Sequence, residues 1–294
     1  MHFVVFIYND DLASSIGKKS SENGIIFYNR LIDDDVVVGL GVIDLEKKFH
    51  DVAQAMLISN QIVISTKNID TAFGELVIAA ELCNKRIIFS NDNNIDKIIS
   101  SLNLNYIICN QQEILNNIIS YKNKANNEDT RIDIDAAFNV KGIGCVVLGI
   151  ITKGNVNVHD SLYHSSGRQV IVKSIQSQDR DLKTADTNTR VGLALKGIDV
   201  EDIEKGDLLT AHKTNKVSSI KATIKINKLA SEEIAKGNRY IFISNFSYRA
   251  CIIEEINNNE ITLNFEKAIV LQKNDYFFLL RNKAPRIFGI GITC

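Results

Sequence analysis

The sequence predicts an α/β domain followed by two all-β barrels. Over residues 1–121, near-continuous apolar runs alternate with stretches of helical periodicity, which is typical of a parallel sheet covered by helices. Beyond a polar segment, short runs of alternating apolar residues are separated by turns rich in Gly and Asn, which indicates antiparallel strands. A chain of 294 residues is long enough for several hydrophobic cores. We therefore predict domains at residues 1–121, 132–212 and 219–294, with a linker at 122–131.

The first domain is predicted to alternate strands with helices. Helical periodicity covers Phe49–Ile58 and Phe73–Cys83. Ligands of such sheets bind beyond the carboxyl ends of the strands, so we expect any binding site in the segments that follow the strands. The apolar runs assigned to strands are Phe3–Tyr8, Gly24–Tyr28, Val36–Ile43, Gln61–Ser65, Arg86–Ser90 and Tyr106–Cys109.

Two barrels are predicted from the turn chemistry of the remaining chain. In the first, alternating residues lead into the turn at Gly142–Gly144, and Lys153–Asn155 makes the next turn. The later segments Arg190–Ile198 and Asp202–Leu209 close this barrel. Asn-rich turns separate the strands of the second barrel. Those strands are Ala222–Asn227, Tyr240–Ser244, Tyr248–Ile256, Ile261–Phe265, Tyr276–Leu280 and Arg286–Thr293.

Composition argues against several classes of protein. A net charge of −1 argues against an overall basic nucleic-acid binder, so we expect RNA contact only at a local patch and no DNA partner. The five cysteines have no paired spacing, which favours a cytoplasmic protein without disulfides. The apolar start Met1–Tyr8 lacks the features of a signal peptide, and no run reaches the roughly 18 apolar residues of a membrane span. We expect a monomer with no membrane contact, no catalytic motif and no metal site.

Four linked blocks of the first barrel resemble the second domain of elongation-factor-Tu-type translation factors. They are Phe138–Gly149, Lys153–Asp160, Arg190–Gly197 and Asp202–Leu209. The similarity is greatest to the selenocysteine-specific branch, SelB, and its archaeal relatives. The first domain, in segments such as Ile26–Arg30, is similar to archaeal paralogues labelled elongation factor Tu domain 2 proteins. The resemblance implies a degenerate P-loop GTPase-like domain followed by barrels of the domain 2 and domain 3 type.

Compared with such GTPases, the phosphate-binding motif is degenerate. The family pattern Gly-x-x-x-x-Gly-Lys-Ser/Thr wraps the phosphates of GTP with backbone N–H groups. Here Leu12 replaces the first Gly, and Lys19 replaces the hydroxyl residue that binds Mg²⁺. Two interpretations stay open: Gly17, Lys18 and Ser20 form a looser phosphate site, or they are a solvated helix end.

The other nucleotide motifs also depart from the family pattern. The resemblance aligns Asp44 with the first residue of Asp-x-Pro-Gly-His, but Glu46, Lys47 and Lys48 replace its Pro, Gly and His. Asp92 lies near the expected guanine-reading position, where Asn and Asp are also ordinary turn residues. The short stretch between the first strand and the third leaves no room for the long first switch of this family.

In the family, a groove between the first domain and the first barrel binds the aminoacylated 3′ end of a tRNA. Asp135 and Phe138 match its acidic and aromatic positions, and Arg190 stands where SelB also carries Arg. Phe138 is equally well explained as a core residue, and Arg190 as a charge at a strand edge. Selenocysteine discrimination is in doubt because further positions of the pocket differ. They are Ala136, Leu148, His159 and Gln176.

The second barrel carries basic residues that form a candidate surface for RNA phosphates. The alternative is that these charges only solvate the outside of the barrel. The residues are Lys221, Lys225, Lys228, Arg281, Lys283 and Arg286.

The preferred hypothesis is a SelB-like paralogue without enzymatic activity or cofactor that binds tRNA or the ribosome through its barrels. The alternative is a divergent elongation factor that delivers aminoacyl-tRNA and binds GTP and Mg²⁺ through Gly17, Lys18, Ser20 and Asp92. A third class is an enzyme that binds another phosphate ligand at residues 17–20.

Overall fold

The first domain is an open α/β structure around a seven-stranded mixed sheet. The chain is described by a computed structural model that covers residues 1–45, 47–121 and 128–294. The elements of this domain are β1 (His2–Tyr8), α1 (Asp10–Ile16), β2 (Lys18–Asn23), β3 (Ile25–Ile32), β4 (Asp35–Gly41), α2 (Phe49–Ile58), β5 (Gln61–Ile64), α3 (Thr71–Cys83), β6 (Arg86–Ser90), α4 (Asp96–Ile99), β7 (Asn105–Cys109) and α5 (Gln111–Ser120). The strand order is β2-β3-β4-β1-β5-β6-β7. Strands β4, β1, β5, β6 and β7 are parallel to one another, β3 is antiparallel to β4, and β2 is antiparallel to β3.

The α/β fold class predicted for this domain is confirmed. The apolar runs form the strands because each is buried on both faces, as in β1, where Phe3–Ile7 are all almost inaccessible. Strand β2 was not expected. Its sequence, Lys-Lys-Ser-Ser-Glu-Asn, carries no apolar pattern because it is the solvated edge of the sheet and pairs only with β3. Of the expected linker, residues 122–127 lie outside the described part of the chain.

The first barrel is formed by a sheet that closes on itself. Its strands are β8 (Arg131–Val140), β9 (Gly144–Lys153), β10 (Asn155–Asn157), β11 (Ser161–His164), β12 (Gln169–Ser177), β13 (Arg180–Leu182), β14 (Thr184–Asp186), β15 (Arg190–Lys196) and β16 (Leu208–Thr210). The main sheet has the order β11-β16-β8-β9-β15-β12-β13, and an additional pairing of β11 with β12 closes the ring. Its core consists of Ile, Val and Leu side chains that alternate along these strands, such as Ile132, Ile134, Val147 and Leu193.

The second barrel is closed and six-stranded, as the sequence predicts. It consists of β17 (Lys216–Ile226), β18 (Arg239–Ser244), β19 (Ser247–Asn257), β20 (Glu260–Val270), β21 (Tyr276–Leu280) and β22 (Ile287–Thr293), in the order β17-β20-β19-β18-β21-β22. Aromatic rings fill its interior: Phe242 stacks on Phe277 with ring centroids 4.6 Å apart. Gly291 is required there, because a Cβ atom would lie 2.2 Å from the Phe277 ring.

The first domain and the second barrel share one hydrophobic core. Helix α2 has nine of its ten residues buried, and its side chains form a single cluster with Phe246, Phe278 and Ile290 of the second barrel. Gln54 of α2 donates a hydrogen bond from Nε2 to the carbonyl oxygen of Phe246 at 2.8 Å. Because this contact is as apolar as a domain core, we infer that it fixes the orientation of the first domain.

Candidate functional site between the first domain and the barrels

The connection between β1 and α1 is a single residue, Asn9. The Asn9 side chain accepts hydrogen bonds from the backbone N–H groups of Asp11 and Leu12, at 3.0 and 3.2 Å, and so uses N–H groups at the start of the helix. Gly17 follows the other end of this helix, where its N–H binds the Ala13 carbonyl oxygen. A phosphate loop lies before a helix, whereas Gly17 lies after one.

The remaining candidate phosphate residues belong to the edge strand β2. Lys18 is exposed and pairs in register with Asn29 of β3. Ser20 donates a hydrogen bond from Oγ to the carbonyl oxygen of Phe27 at 3.2 Å. Gly17, Lys18 and Ser20 therefore run along an extended strand, and their backbone does not form the compact loop whose N–H groups converge on a phosphate.

The segment after β4 forms a turn closed by its own side chains. The backbone N–H of Lys48 donates to the Asp44 carbonyl oxygen at 3.0 Å, and the Lys47 ammonium lies 3.0 Å from the Asp44 carboxylate. Glu46 lies outside the described residues. His50 lies beside Tyr248 of the second barrel, with ring centroids 5.4 Å apart.

Asp92 belongs to a hydrogen-bond network at the carboxyl ends of β5 and β6. Thr66 Oγ1 donates to the Ser90 carbonyl oxygen at 2.7 Å and accepts from the N–H groups of Asp92 and Asn93, both at 3.0 Å. The Asp92 carboxylate accepts a hydrogen bond from the Ser90 hydroxyl. Sequence reasoning missed Thr66, since a buried threonine after a strand is common.

Asp135 and Arg190 of the first barrel pair with each other beneath the first domain. Arg190 Nη2 donates to Asp135 Oδ2 at 2.9 Å, and both side chains are buried. The guanidinium of Arg190 lies 3.5 Å from the centre of the Phe27 ring in β3. Asn23 Nδ2 donates to the Asp135 carbonyl oxygen at 2.8 Å. The hairpin β2–β3 therefore covers this pair.

Burial disfavours the charged forms of the side chains in this cluster. Burial raises the pKa of the Asp135 carboxyl, although the charge of Arg190 opposes the shift. Asp135 Oδ1 and Arg190 Nε have no hydrogen-bond partner among the described residues. Lys205 extends the cluster by donating to the Asn23 carbonyl oxygen at 3.0 Å, and burial lowers the pKa of its ammonium.

Phe138 is exposed to solvent, unlike Asp135 and Arg190. Its side chain is 42% exposed, near the tip of the β8–β9 hairpin. The interpretation of Phe138 as a core residue is therefore wrong, because the alternation that buries Ile132 and Ile134 shifts at a β-bulge between Ile134 and Ala136. Phe138 is accessible for stacking, whereas Asp135 and Arg190 are not accessible.

The six basic residues of the second barrel do not form one exposed face. Lys221 and Lys225 are exposed on β17, and Lys228 is exposed beyond the end of that strand. Arg281 is nearly buried and binds the Glu232 carboxylate and the Pro285 carbonyl oxygen. Lys283 also pairs with Glu232. The expectation of a shared basic surface is wrong for Arg281, because sequence does not show which basic side chains have acidic partners.

Arg286 instead connects the second barrel to the first domain. Its backbone N–H donates to Glu75 Oε1 at 2.6 Å, and its Nε donates to Glu75 Oε2 at 2.8 Å. The guanidinium also lies 4.3 Å from the centre of the Phe49 ring and donates to the Leu45 carbonyl oxygen. Glu75 is buried within α3, so this ion pair is part of the domain interface and not of an RNA-facing surface.

A second buried network, which the sequence did not indicate, joins the two barrels. Arg131 of β8 binds both carboxylate oxygens of Asp133, at 2.9 and 3.0 Å, and also the carboxylate of Asp275 in the second barrel. Asn245 Nδ2 donates to Asp133 Oδ1 at 2.9 Å. These paired carboxylates pull the pKa of Arg131 further upward, against the opposing effect of burial.

Metal-binding clusters and membrane helices are both absent from the residues that the structure describes. Within those ranges, no three His, Cys, Asp or Glu side chains are grouped so that they could hold a metal ion. No helix in the described part of the chain is long and apolar enough to cross a membrane.

Comparison with known proteins places this fold among translation factors. No family model matches the chain. An uncharacterized protein of Methanocaldococcus jannaschii is 34% identical over 163 residues, which are 55% of this chain and 53% of that protein. The selenocysteine-specific elongation factor of the same organism is 32% identical over 192 residues, or 56% of this chain and 41% of that protein. The matches therefore span about half or less of these relatives.

Structural similarity extends over the whole chain. The crystal structure of elongation factor SelB from Methanococcus maripaludis in complex with a GTP analogue matches with a TM-score of 0.83 and 20% identity, and covers 100% of this chain and 79% of that one. At this identity the match shows the fold. The chain is thus similar in sequence to a selenocysteine-specific elongation factor over about half of its length, and it shares the fold of SelB over its whole length.

Proposed function

We propose that this protein is a translation-factor paralogue that binds tRNA or the ribosome through its barrels, without GTP binding or hydrolysis. The observation that carries the proposal is the one-residue connection between β1 and α1. The phosphate loop of this family needs several residues between the strand and the helix, so that successive N–H groups surround the phosphates. Asn9 alone occupies that position and bonds its side chain to the helix amides.

The contacts of the switch-like segments support the same proposal. In a GTPase of this kind, the segment that follows the strand equivalent to β4 moves between nucleotide states. Here the corresponding helix α2 is buried against the second barrel, and the ion pair of Glu75 with Arg286 reinforces that contact. Moving α2 would expose a core-sized apolar surface. The first domain therefore serves as a fixed platform.

The arrangement above the Asp135–Arg190 pair supports a role other than aminoacyl recognition. Phe27 and Asn23 of the β2–β3 hairpin contact this pair directly. An aminoacyl group would have to displace the hairpin and break the buried Asp135–Arg190 contact. Among the RNA-binding candidates predicted from the sequence, Phe138, Lys221, Lys225 and Lys228 are exposed, and Lys283 pairs with Glu232.

Two measurements test the proposal. Isothermal titration with a non-hydrolysable GTP analogue and Mg²⁺ is expected to give no binding heat, while a micromolar affinity would contradict the loss of nucleotide binding and favour a divergent GTP-dependent factor. Co-sedimentation with ribosomes and filter binding with tRNA are expected to show association that weakens as salt is raised. Phe138→Ala should weaken this association, whereas Ile171→Ala, at an equally exposed apolar residue of the same barrel, serves as the matched control.

A further inference from the structure

A cavity of about 510 Å³ lies where α3 of the first domain meets the outer face of the second barrel. Its walls are the C-terminal end of α3, the loop before β7, the β19–β20 turn and the strands β17, β21 and β22. This volume is within the range of roughly 300–1,000 Å³ that is typical of ligand sites, and sites at domain boundaries are common. Ile290, which belongs to the core shared by the first domain and the second barrel, also lines this cavity.

The floor of the cavity is a row of side chains across three strands. Thr223 of β17 lies opposite Ile292 of β22, and Ile292 lies opposite Tyr276 of β21. Directly opposed residues of antiparallel strands point to the same face of a sheet, so these three side chains are neighbours on the outside of the barrel. Tyr276 is 61% exposed, and it provides an aromatic ring next to an apolar floor.

The rim of the cavity carries amide side chains that are not used by the protein. Asn84 caps the end of α3, Asn103 lies before β7, and Asn259 lies in the β19–β20 turn. The side chains of these three asparagines have no hydrogen-bond partner within the described residues. Each amide offers two donor hydrogens and an acceptor oxygen. The cavity thus combines an aromatic ring, an apolar floor and free amides.

The charges at the cavity narrow the class of ligand. Lys225 and Glu81 are the charged lining residues in the described part of the chain, one cation and one anion. A free nucleoside triphosphate needs several cations, so this composition disfavours it. A neutral planar group with donors and acceptors at its edge fits better, and Lys225 is in place for a single phosphate next to that group.

We propose that this cavity binds one unpaired nucleobase of an RNA, stacked on Tyr276. The rim amides bind the base edge, as in single-stranded RNA recognition, and Lys225 contacts the adjoining phosphate. This inference rests on the proposed RNA-binding function and deepens it, because it assigns a base-specific contact to a surface between the first domain and the second barrel. It also gives a role to the fixed orientation of those two domains, since both supply walls of the cavity.

The test uses single-stranded RNA that carries one 2-aminopurine, a fluorescent base whose emission falls on stacking. The chain contains no tryptophan, so its own emission does not obscure the signal. The unmodified protein is expected to quench the probe in a saturable titration. Tyr276→Ala should weaken binding by about 5- to 150-fold, the range for one base–aromatic contact, whereas Tyr276→Phe should bind within about twofold because it keeps the ring.

Further variants distinguish stacking on Tyr276 from binding elsewhere on the second barrel. Tyr248→Ala removes a tyrosine that is 50% exposed on the same barrel but contacts His50, and it should bind the probe like the unmodified protein. Asn259→Ala should reduce the difference in affinity between RNAs that differ only in the probe base. Circular dichroism and thermal unfolding establish that each variant is folded.

Three outcomes would overturn the assignment. Equal quenching by Tyr276→Ala and the unmodified protein would show that the base does not stack there. If Tyr276→Ala and the unmodified protein bind ribosomes and tRNA equally and neither quenches the probe, the nucleobase site fails while the proposed function stands. If the unmodified protein binds neither ribosomes, tRNA nor the probe, the proposed function fails and the site with it.

Discussion

The ion pair between Glu75 and Arg286 offers the sharpest test of whether the first domain is fixed. Glu75→Gln keeps the shape of the side chain but removes its charge. Glu75 is buried, with 4% of its side chain exposed, and it receives the backbone N–H and two guanidinium nitrogens of Arg286. Removing one partner of a buried ion pair costs about 3–5 kcal/mol. Arg286 is 18% exposed and keeps its contacts with Leu45 and Phe49, so we expect about 2–4 kcal/mol here.

The assay combines chemical unfolding with hydrogen exchange of α2 and α3. We expect a single unfolding transition in the unmodified protein, because the interface and the core of the first domain form one cluster. The substitution should lower the midpoint and speed exchange in α3. Asp202→Asn is the matched control, since the Arg168–Asp202 pair is 51% and 40% exposed and contributes less than about 1 kcal/mol. A Glu75→Gln variant no less stable than this control would refute a fixed interface.

Three further predictions concern the barrels and the thiols. Gly206→Ala should destabilise the protein by about 1–3 kcal/mol more than Gly142→Ala. Both glycines have φ near +90°, but a Cβ atom at Gly206 would lie 2.7 Å from Ser247 of the other barrel, whereas a Cβ atom at Gly142 would have no described atom within 4 Å. Equal losses of stability in urea unfolding would contradict this. Burial raises the pKa of Asp135 above 3.8, so the folded chain binds this proton more tightly. The free energy of unfolding, measured relative to Asp135→Asn, should therefore be highest below pH 3.8 and fall as the pH rises through the folded-state pKa; a rise would refute the direction. A thiol reagent should label only Cys294 rapidly, because it is exposed, whereas burial raises the pKa of the other four thiols, to about 11 for Cys83 and about 12 for Cys251. Rapid labelling of two or more thiols would contradict this packing.

The fold was predictable from the sequence because its signals are local. Periods of two residues in the barrels and continuous apolar runs in the first sheet identified the strands, and Phe49–Ile58 was predicted with its observed bounds. Strand β2 was missed because a solvated edge strand has no apolar face to reveal it. The short helix α4 has only four residues, too few for periodicity to register.

The site was less predictable because its contacts join distant parts of the chain. Arg190 and Asp135 were recognised as candidates, but their bond spans 55 residues, and the ring of Phe27 comes from another domain. Arg286 was interpreted as an exposed charge, whereas its partner Glu75 is 211 residues away. A single sequence shows that a residue is charged. It does not show which partner folding brings to it.

The single-residue connection between β1 and α1 limits what substitutions can do to the chemistry at this position. Side-chain replacements alter chemistry at fixed backbone positions, but they do not lengthen a connection. We expect that neither Leu12→Gly nor Lys19→Thr would create a phosphate loop, because Gly17 would still follow the helix. A phosphate loop at this position would need an insertion between β1 and α1.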